Sequence, residues 1–228
     1  MNNPDSMMFF LRAGTGIFWI ITYLLIIKRG FQDKTFGMPM AAICANISWE
    51  FVFSFVYPHE GIQLTVNIIW FVLDVIIMFQ YLKYGAKQMD GVIPLGYFYG
   101  YFMLSVIVAF SLIVTITHEL EDFEGKYAAF SQNLMMSILF ISMLGYRCNV
   151  NGQSMYIAIF KMIGSLLPTI AFYLFYSSPL IYLVCAITFI FDMLYAIMLY
   201  NMFRKMGLNP WTRRYESGVY NHKKRHYR

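Results

Sequence analysis

From Met7 to Phe203 the chain is a succession of apolar runs separated by short polar connections. A helix that crosses a bilayer needs about 20 predominantly apolar residues. Seven runs meet that length: Met7–Ile27, Gly37–Tyr57, Gly61–Leu82, Leu95–Ile116, Lys126–Tyr146, Ser154–Tyr176 and Pro179–Phe203. In lipid each segment must satisfy its own backbone N–H and C=O groups, so such runs are helices. The expected fold is an all-α integral membrane protein, a seven-transmembrane-helix bundle. Composition agrees, with 59% hydrophobic and 13% charged residues against about 25% charged in soluble domains. With short connections, residues 1–228 are expected to form a single membrane domain that ends in a basic tail from about Arg204 to Arg228.

Charge sets the expected orientation. Lys28, Arg29 and Lys34 follow the first run, Lys83 and Lys87 the third, and Arg147 the fifth. The opposite connections hold almost no cations, and one of them, His118 to Glu124, is acidic. The positive-inside rule then places the N-terminus outside and the C-terminus in the cytoplasm. The tail, with Lys223, Lys224, Arg225 and Arg228 among its cations, suits anionic lipid head groups at about 1 kcal/mol per cation, and no nucleic-acid partner is expected. The first run lacks a cleavage site and is expected to stay as a span. Cys44, Cys148 and Cys185 show no metal or redox spacing, and Cys44 and Cys185 are expected to pack. Gly96 and Gly100 form a small-xxx-small pair that permits close helix packing, expected within the bundle. Pro168 is expected to kink the sixth span, with Lys161 snorkelling to the cytoplasmic interface.

Within this apolar frame the segment Asn46-Ile47-Ser48-Trp49-Glu50-Phe51 stands out. A charge at mid-membrane costs roughly 2.5–3.5 kcal/mol on insertion scales, so a buried acid there marks function. Asn46 precedes Glu50 by one turn, which puts amide and carboxyl on one face. Asn67, Trp70 and Asp74 form a similar stripe in the third run, and Thr188, Asp192 and Tyr195 another in the seventh. Three buried acids with polar neighbours point to proton chemistry. The competing role is helix glue, which suits Asp74 best because it lies toward the basic side. Glu119, Glu121, Asp122 and Glu124 match no diphosphate-binding motif and read as a solvated face. Neither His59 nor His118 has a partner histidine, so no metal site and no cofactor are expected. There is no nucleophile elbow, P-loop or dinucleotide glycine motif.

Asn46-x-x-Trp49-Glu50-Phe51, Trp70-x-x-x-Asp74 and Asp192-x-x-Tyr195 resemble the transmembrane terpene cyclases of fungal meroterpenoid and indole-diterpene pathways. That family has bacterial relatives, and the chain is read as a bacterial-type member, located in the cell or inner membrane. The resemblance implies seven helices and cyclisation of a prenyl chain, started by protonating a terminal epoxide or alkene without metal. It carries the essential acids over to Glu50 and Asp192. Either one donates the proton while the other orients it or takes a proton up at the end. Asn46, Trp49, Asn67, Trp70, Asp74, Thr188 and Tyr195 are expected to line the substrate. Cationic intermediates need aromatic faces, which Trp19, Trp49, Trp70 and Tyr195 supply, and a dry cavity.

The rival reading is a proton-coupled transporter or receptor of small amphiphiles, whose buried acids relay protons. Paired broken helices and internal repeats are missing from the sequence. A retinal protein is excluded because the last span lacks a central lysine. A purely structural membrane protein would not need three buried acids.

Overall fold

A computed structural model of the chain describes residues 4–89 and 91–215. Seven apolar helices follow the seven expected runs. They are α1 (Pro4–Asp33), α2 (Met40–Phe51), α3 (Gly61–Gln80), α4 (Leu95–Glu119), α5 (Lys126–Arg147), α6 (Met155–Phe175) and α7 (Pro179–Lys205). Six of them are long and apolar enough to cross a membrane, and α2, with the π-helical turn Val52–Val56 that continues it, is shorter. The protein is an all-α membrane protein. Several helices overrun their apolar stretch. α1 continues past Ile27 to Asp33, and α3 runs on through Tyr81–Gly85 and Ala86–Met89. The added residues include Lys28, Arg29, Lys83 and Lys87, good helix formers that keep the backbone bonded where the side chains meet the interface.

The helices α1, α3, α2, α5, α7 and α6 pack in that order as a closed ring, with α4 outside it against α2. Because α3, α4 and α5 wall it in, α2 is buried nearly all round, from Ala42 through Glu50. This explains how one short helix carries Asn46, Ser48 and Glu50: it meets protein rather than lipid. Toward the basic end the ring is filled by Ile26, Met38, Ile43, Ile77, Phe140, Ile157, Leu199 and Phe203, all fully buried. Cys44 and Cys185 are buried as expected, and Cys148 is exposed.

Three expectations change here. A Cβ on Gly96 or Gly100 would meet nothing within 4 Å, so this pair faces away from the bundle and closes no helix contact inside the chain. Lys161 does not snorkel: it is 1% exposed and bonded inside the ring. Arg213 is tied to the protein instead of being left for lipid. Its guanidinium meets Asp33 Oδ2 at 2.8 Å and donates to the Val150 carbonyl at 3.2 Å. Asp33 Oδ2 also accepts from the Gly152 N–H at 2.8 Å. The segment after α7 therefore folds back over the basic end, closed by an antiparallel bridge between Leu208 and Tyr215. Lys223, Lys224, Arg225 and Arg228 lie outside the described residues. α6 is unbroken through Pro168.

Candidate active site

The site grows from α2. Asn46 and Glu50 share a face, and α1 brings Tyr23 to both. Asn46 Nδ2 donates to the Tyr23 hydroxyl at 2.7 Å, and that hydroxyl donates to Glu50 Oε1 at 3.3 Å. From α3, fully buried Asp74 faces Glu50, Asn46 and Tyr23. Among the described residues, neither Asp74 oxygen nor Glu50 Oε2 reaches a hydrogen-bond donor. Two acids, an amide and a phenol thus form one cluster from three helices.

Above the cluster a cavity of about 380 Å³ opens between α1, α2, α3, α5 and α6, a volume suited to a small ligand. Glu50, Tyr23 and Asn46 line it together with the rings of Trp19, Trp49, Trp70, Phe130 and Phe172. Arg12, His59, Glu60, Glu124, Lys126 and Tyr176 line the end beside the 57–60 and 120–125 connections. The cavity is therefore polar at its mouth, aromatic along its walls and acidic at its floor. The Trp70 indole N–H is buried in the wall without a partner among the described residues. Asp74 and Asp192 do not line the cavity.

The mouth has its own bracing. Trp49 donates its indole N–H to the Gly125 carbonyl at 3.0 Å, and its ring lies 4.8 Å from Phe53. Gly125 has φ +63° and packs so closely that a Cβ would fall 2.3 Å from Phe53 Cε2 and 2.8 Å from Trp49 Nε1. Overpacking of this kind costs about 1–3 kcal/mol, and the left-handed backbone adds strain. Gly125→Ala is expected to lower the melting temperature in detergent; an unchanged melt would show that Phe53 and Trp49 shift freely.

Asn67 does not line the cavity. It accepts from Gln63 at 2.8 Å and donates to the Phe53 carbonyl at 3.2 Å and to His59 Nδ1 at 2.8 Å. With Asn67 oriented by Gln63 and Phe53, His59 Nδ1 is an acceptor and its proton sits on Nε2. Burial pushes the His59 imidazole below its ordinary value of 6.5. The neutral ring therefore contributes stability that is fully present above pH 6.5 and is lost as pH falls through the lower folded-state value. Wild type is expected to lose melting temperature on acidification through that window, and His59→Gln to lose less. Parallel curves would remove His59 from the bracing.

The seventh-helix stripe lies apart from the cavity. Thr188 donates to the Val184 carbonyl at 2.7 Å, and Tyr195 donates to Gln153 Oε1 at 3.0 Å. Asp192 accepts from Lys161 at 2.6 Å. The second and seventh helices thus do not bring Glu50 and Asp192 to one cavity; Asp74 stands beside Glu50 instead. Asp122, in the acidic connection, accepts from the Tyr127 N–H at 2.8 Å and so caps the start of α5. Sequence reasoning missed Tyr23, because the residues one turn away on its helix, Trp19, Ile20, Ile26 and Ile27, include no amide, hydroxyl or acid to mark it.

An all-α membrane protein with an acid-floored aromatic cavity is the class this fold and site define. The model of the Pyr4-like transmembrane terpene cyclases matches residues 4–205, and the chain belongs to that family. It is 28% identical over 163 residues to the Pyr4-family terpene cyclase mfmH of Annulohypoxylon moriforme, covering 69% of this chain and 66% of that one. It is 28% identical over 168 residues to the terpene cyclase macJ of Penicillium terrestre, covering 71% and 64%. To the terpene cyclase ascF of Acremonium egyptiacum it is 24% identical over 219 residues, covering 82% and 78%. These relatives are fungal, not bacterial. The chain spans under two thirds of the length of the first two. No solved structure matches.

Proposed function

We propose that the chain is a membrane-embedded terpene cyclase in which Glu50 protonates the terminal epoxide or alkene of a prenyl chain bound in the aromatic cavity. The observation that carries this reading is the position of Glu50. It is the acid at the aromatic end of the cavity, 2% exposed, with Tyr23, Asn46 and Asp74 around it. Two facing carboxyls whose remaining oxygens lack donors hold together when one of them is protonated and serves as an O–H donor. That proton is the one delivered.

With an epoxide, the Glu50 proton passes to the ring oxygen and the C–O bond to the more substituted carbon breaks. The neighbouring alkene π pair closes a C–C bond there, which moves the positive charge one unit along the chain. Ring closure ends when the last cation loses a proton, or is captured by a hydroxyl of the substrate that then loses its own, and either proton restores the Glu50 carboxyl. The product is an isomer of the substrate, and no diphosphate leaves. Trp19, Trp49 and Trp70 supply π faces to the travelling cation, each worth about 0.5–2 kcal/mol. The walls keep out the water that would quench it. Tyr23, through its bond to Glu50, steadies the carboxylate left behind.

The charge asymmetry of the connections supports a cavity mouth on the non-cytoplasmic face. A prenylated substrate then enters from the membrane with its apolar terminus first and leaves its polar part at the mouth. The test is incubation of the purified chain with a phenol carrying a farnesyl chain with a terminal epoxide. The expected result is a ring-closed product of unchanged mass. Unchanged substrate, together with proton flux into vesicles containing the chain, would establish the transporter reading instead.

A further inference from the structure

The Lys161–Asp192 pair is the most deeply buried ion pair among the described residues. Its Nζ–Oδ1 distance is 2.6 Å, and the side chains are 1% and 2% exposed. Lys161 Nζ also donates to Ser137 Oγ at 2.6 Å. The ammonium then lies 6.0 Å from the centroid of Trp19, a ring that lines the cavity. Gly164, one turn beyond Lys161 on α6, backs onto the same indole, where a Cβ would come 3.0 Å from Trp19 Cδ1. Trp19 also meets Tyr23 edge-on, with centroids 5.7 Å apart, and Tyr23 donates to Glu50. A continuous line of contacts therefore joins Asp192 to Glu50 through Lys161, Trp19 and Tyr23, although Asp192 does not line the cavity.

We propose that Lys161 is a positioning residue that fixes Trp19 as the cavity wall beside Tyr23 and Glu50, and that Asp192 acts through Lys161 rather than as a second proton donor. Two physical reasons support this. A carboxylate bonded to an ammonium at 2.6 Å and shut away from the cavity has neither proton nor path to give to the substrate. An unpaired ammonium behind Trp19 would draw on the same π electrons that a carbocation needs on the cavity side, and would repel that cation. Asp192 cancels that charge, and Ser137 and Gly164 hold its geometry. Breaking one side of such a buried pair is far worse than replacing both sides with neutral groups.

The proposal rests on the cyclase reading, and its test separates the two. The epoxy-farnesyl phenol is given to wild type, Asp192→Asn, Lys161→Met and the double variant Lys161→Met/Asp192→Asn, each as the full chain in detergent. Asp192→Asn is expected to lower kcat about tenfold with KM little changed, and to release more early-quenched, partly cyclised product. The double variant is expected to recover most of the lost kcat, which no loss of a proton donor allows. A well-folded double variant as inactive as Asp192→Asn, giving no partly cyclised product, would overturn the proposal. Ser137→Ala covers the case in which the double variant does not fold. It removes one anchor of Lys161 without touching Asp192, so a lower kcat with a shifted product ratio supports the proposal and wild-type behaviour overturns it. If wild type itself returns the probe unchanged, the cyclase reading fails. The pairing is then read from acrylamide quenching of the Trp19 fluorescence, taken as the difference from Trp19→Phe. Quenching that rises in Asp192→Asn and falls back in the double variant upholds the positioning role, and quenching unchanged in both overturns it.

Discussion

Glu50→Gln is expected to fold, to bind the epoxy-farnesyl phenol and to return it almost uncyclised. Glutamine keeps the volume of the side chain and an oxygen to accept from Tyr23, so the 3.3 Å contact survives. Only the transferable proton is lost. General acid catalysis is worth about 10²–10⁴-fold, and a loss at the upper end is expected because Glu50 is the acid at the aromatic end of the cavity, with Glu60 and Glu124 away at its mouth. Turnover per folded molecule, measured by chromatography and mass spectrometry after confirming a monodisperse protein in detergent, decides it. A Glu50→Gln variant that cyclises at the wild-type rate would remove Glu50 from the chemistry.

Asp74→Asn carries the second large expectation. From the sequence alone Asp74 ranks as the acid best suited to gluing helices, because it lies toward the basic side of its span. Its place against Glu50, Asn46 and Tyr23 changes that ranking. Two carboxyls this close titrate as a pair and not as separate groups, so an amide at position 74 alters how Glu50 holds its proton. Turnover is expected to fall about 10²-fold, the pH–rate profile to lose the shape a coupled pair gives, and the melting temperature to stay near that of wild type, since Asn fits the same space. A lower yield of folded protein with unchanged turnover per folded molecule would return Asp74 to the role of glue.

The bundle was legible because lipid imposes its demands residue by residue. Apolar length marks each span, and the charged breaks between them mark the connections. The overrun of α1 to Asp33 and of α3 to Met89 was not legible, because a helix can continue into the interface after its apolar stretch ends. Asn46 and Glu50 were visible as one face since helical spacing alone places them there. What spacing cannot show is which faces meet. Tyr23 comes from α1 and Asp74 from α3, and only packing joins them to α2. The Asn67–Trp70–Asp74 stripe shows the limit most clearly, since its three members part company. Asn67 braces the mouth, Trp70 lines the wall and Asp74 meets Glu50. The Lys161–Asp192 pair was within reach of the sequence. A lone cation and a lone acid in apolar spans must each be neutralised, and that requirement favours pairing over snorkelling.

The position of the proton donor is tested most directly by trapping the first cation. A farnesyl-phenol analogue with the terminal epoxide kept and the neighbouring alkene saturated gives the first cation no neighbouring π bond to close on. Protonation of the epoxide oxygen by Glu50 then leaves a tertiary cation beside the carboxylate that has just lost its proton. Collapse of the two forms a hydroxyalkyl ester that retains every atom of the probe. Digestion and peptide mass spectrometry are expected to find that ester on Glu50. An ester on Asp192, or on Glu60 or Glu124 at the mouth with Glu50 unmodified, would contradict the placement of the reaction at the cavity floor.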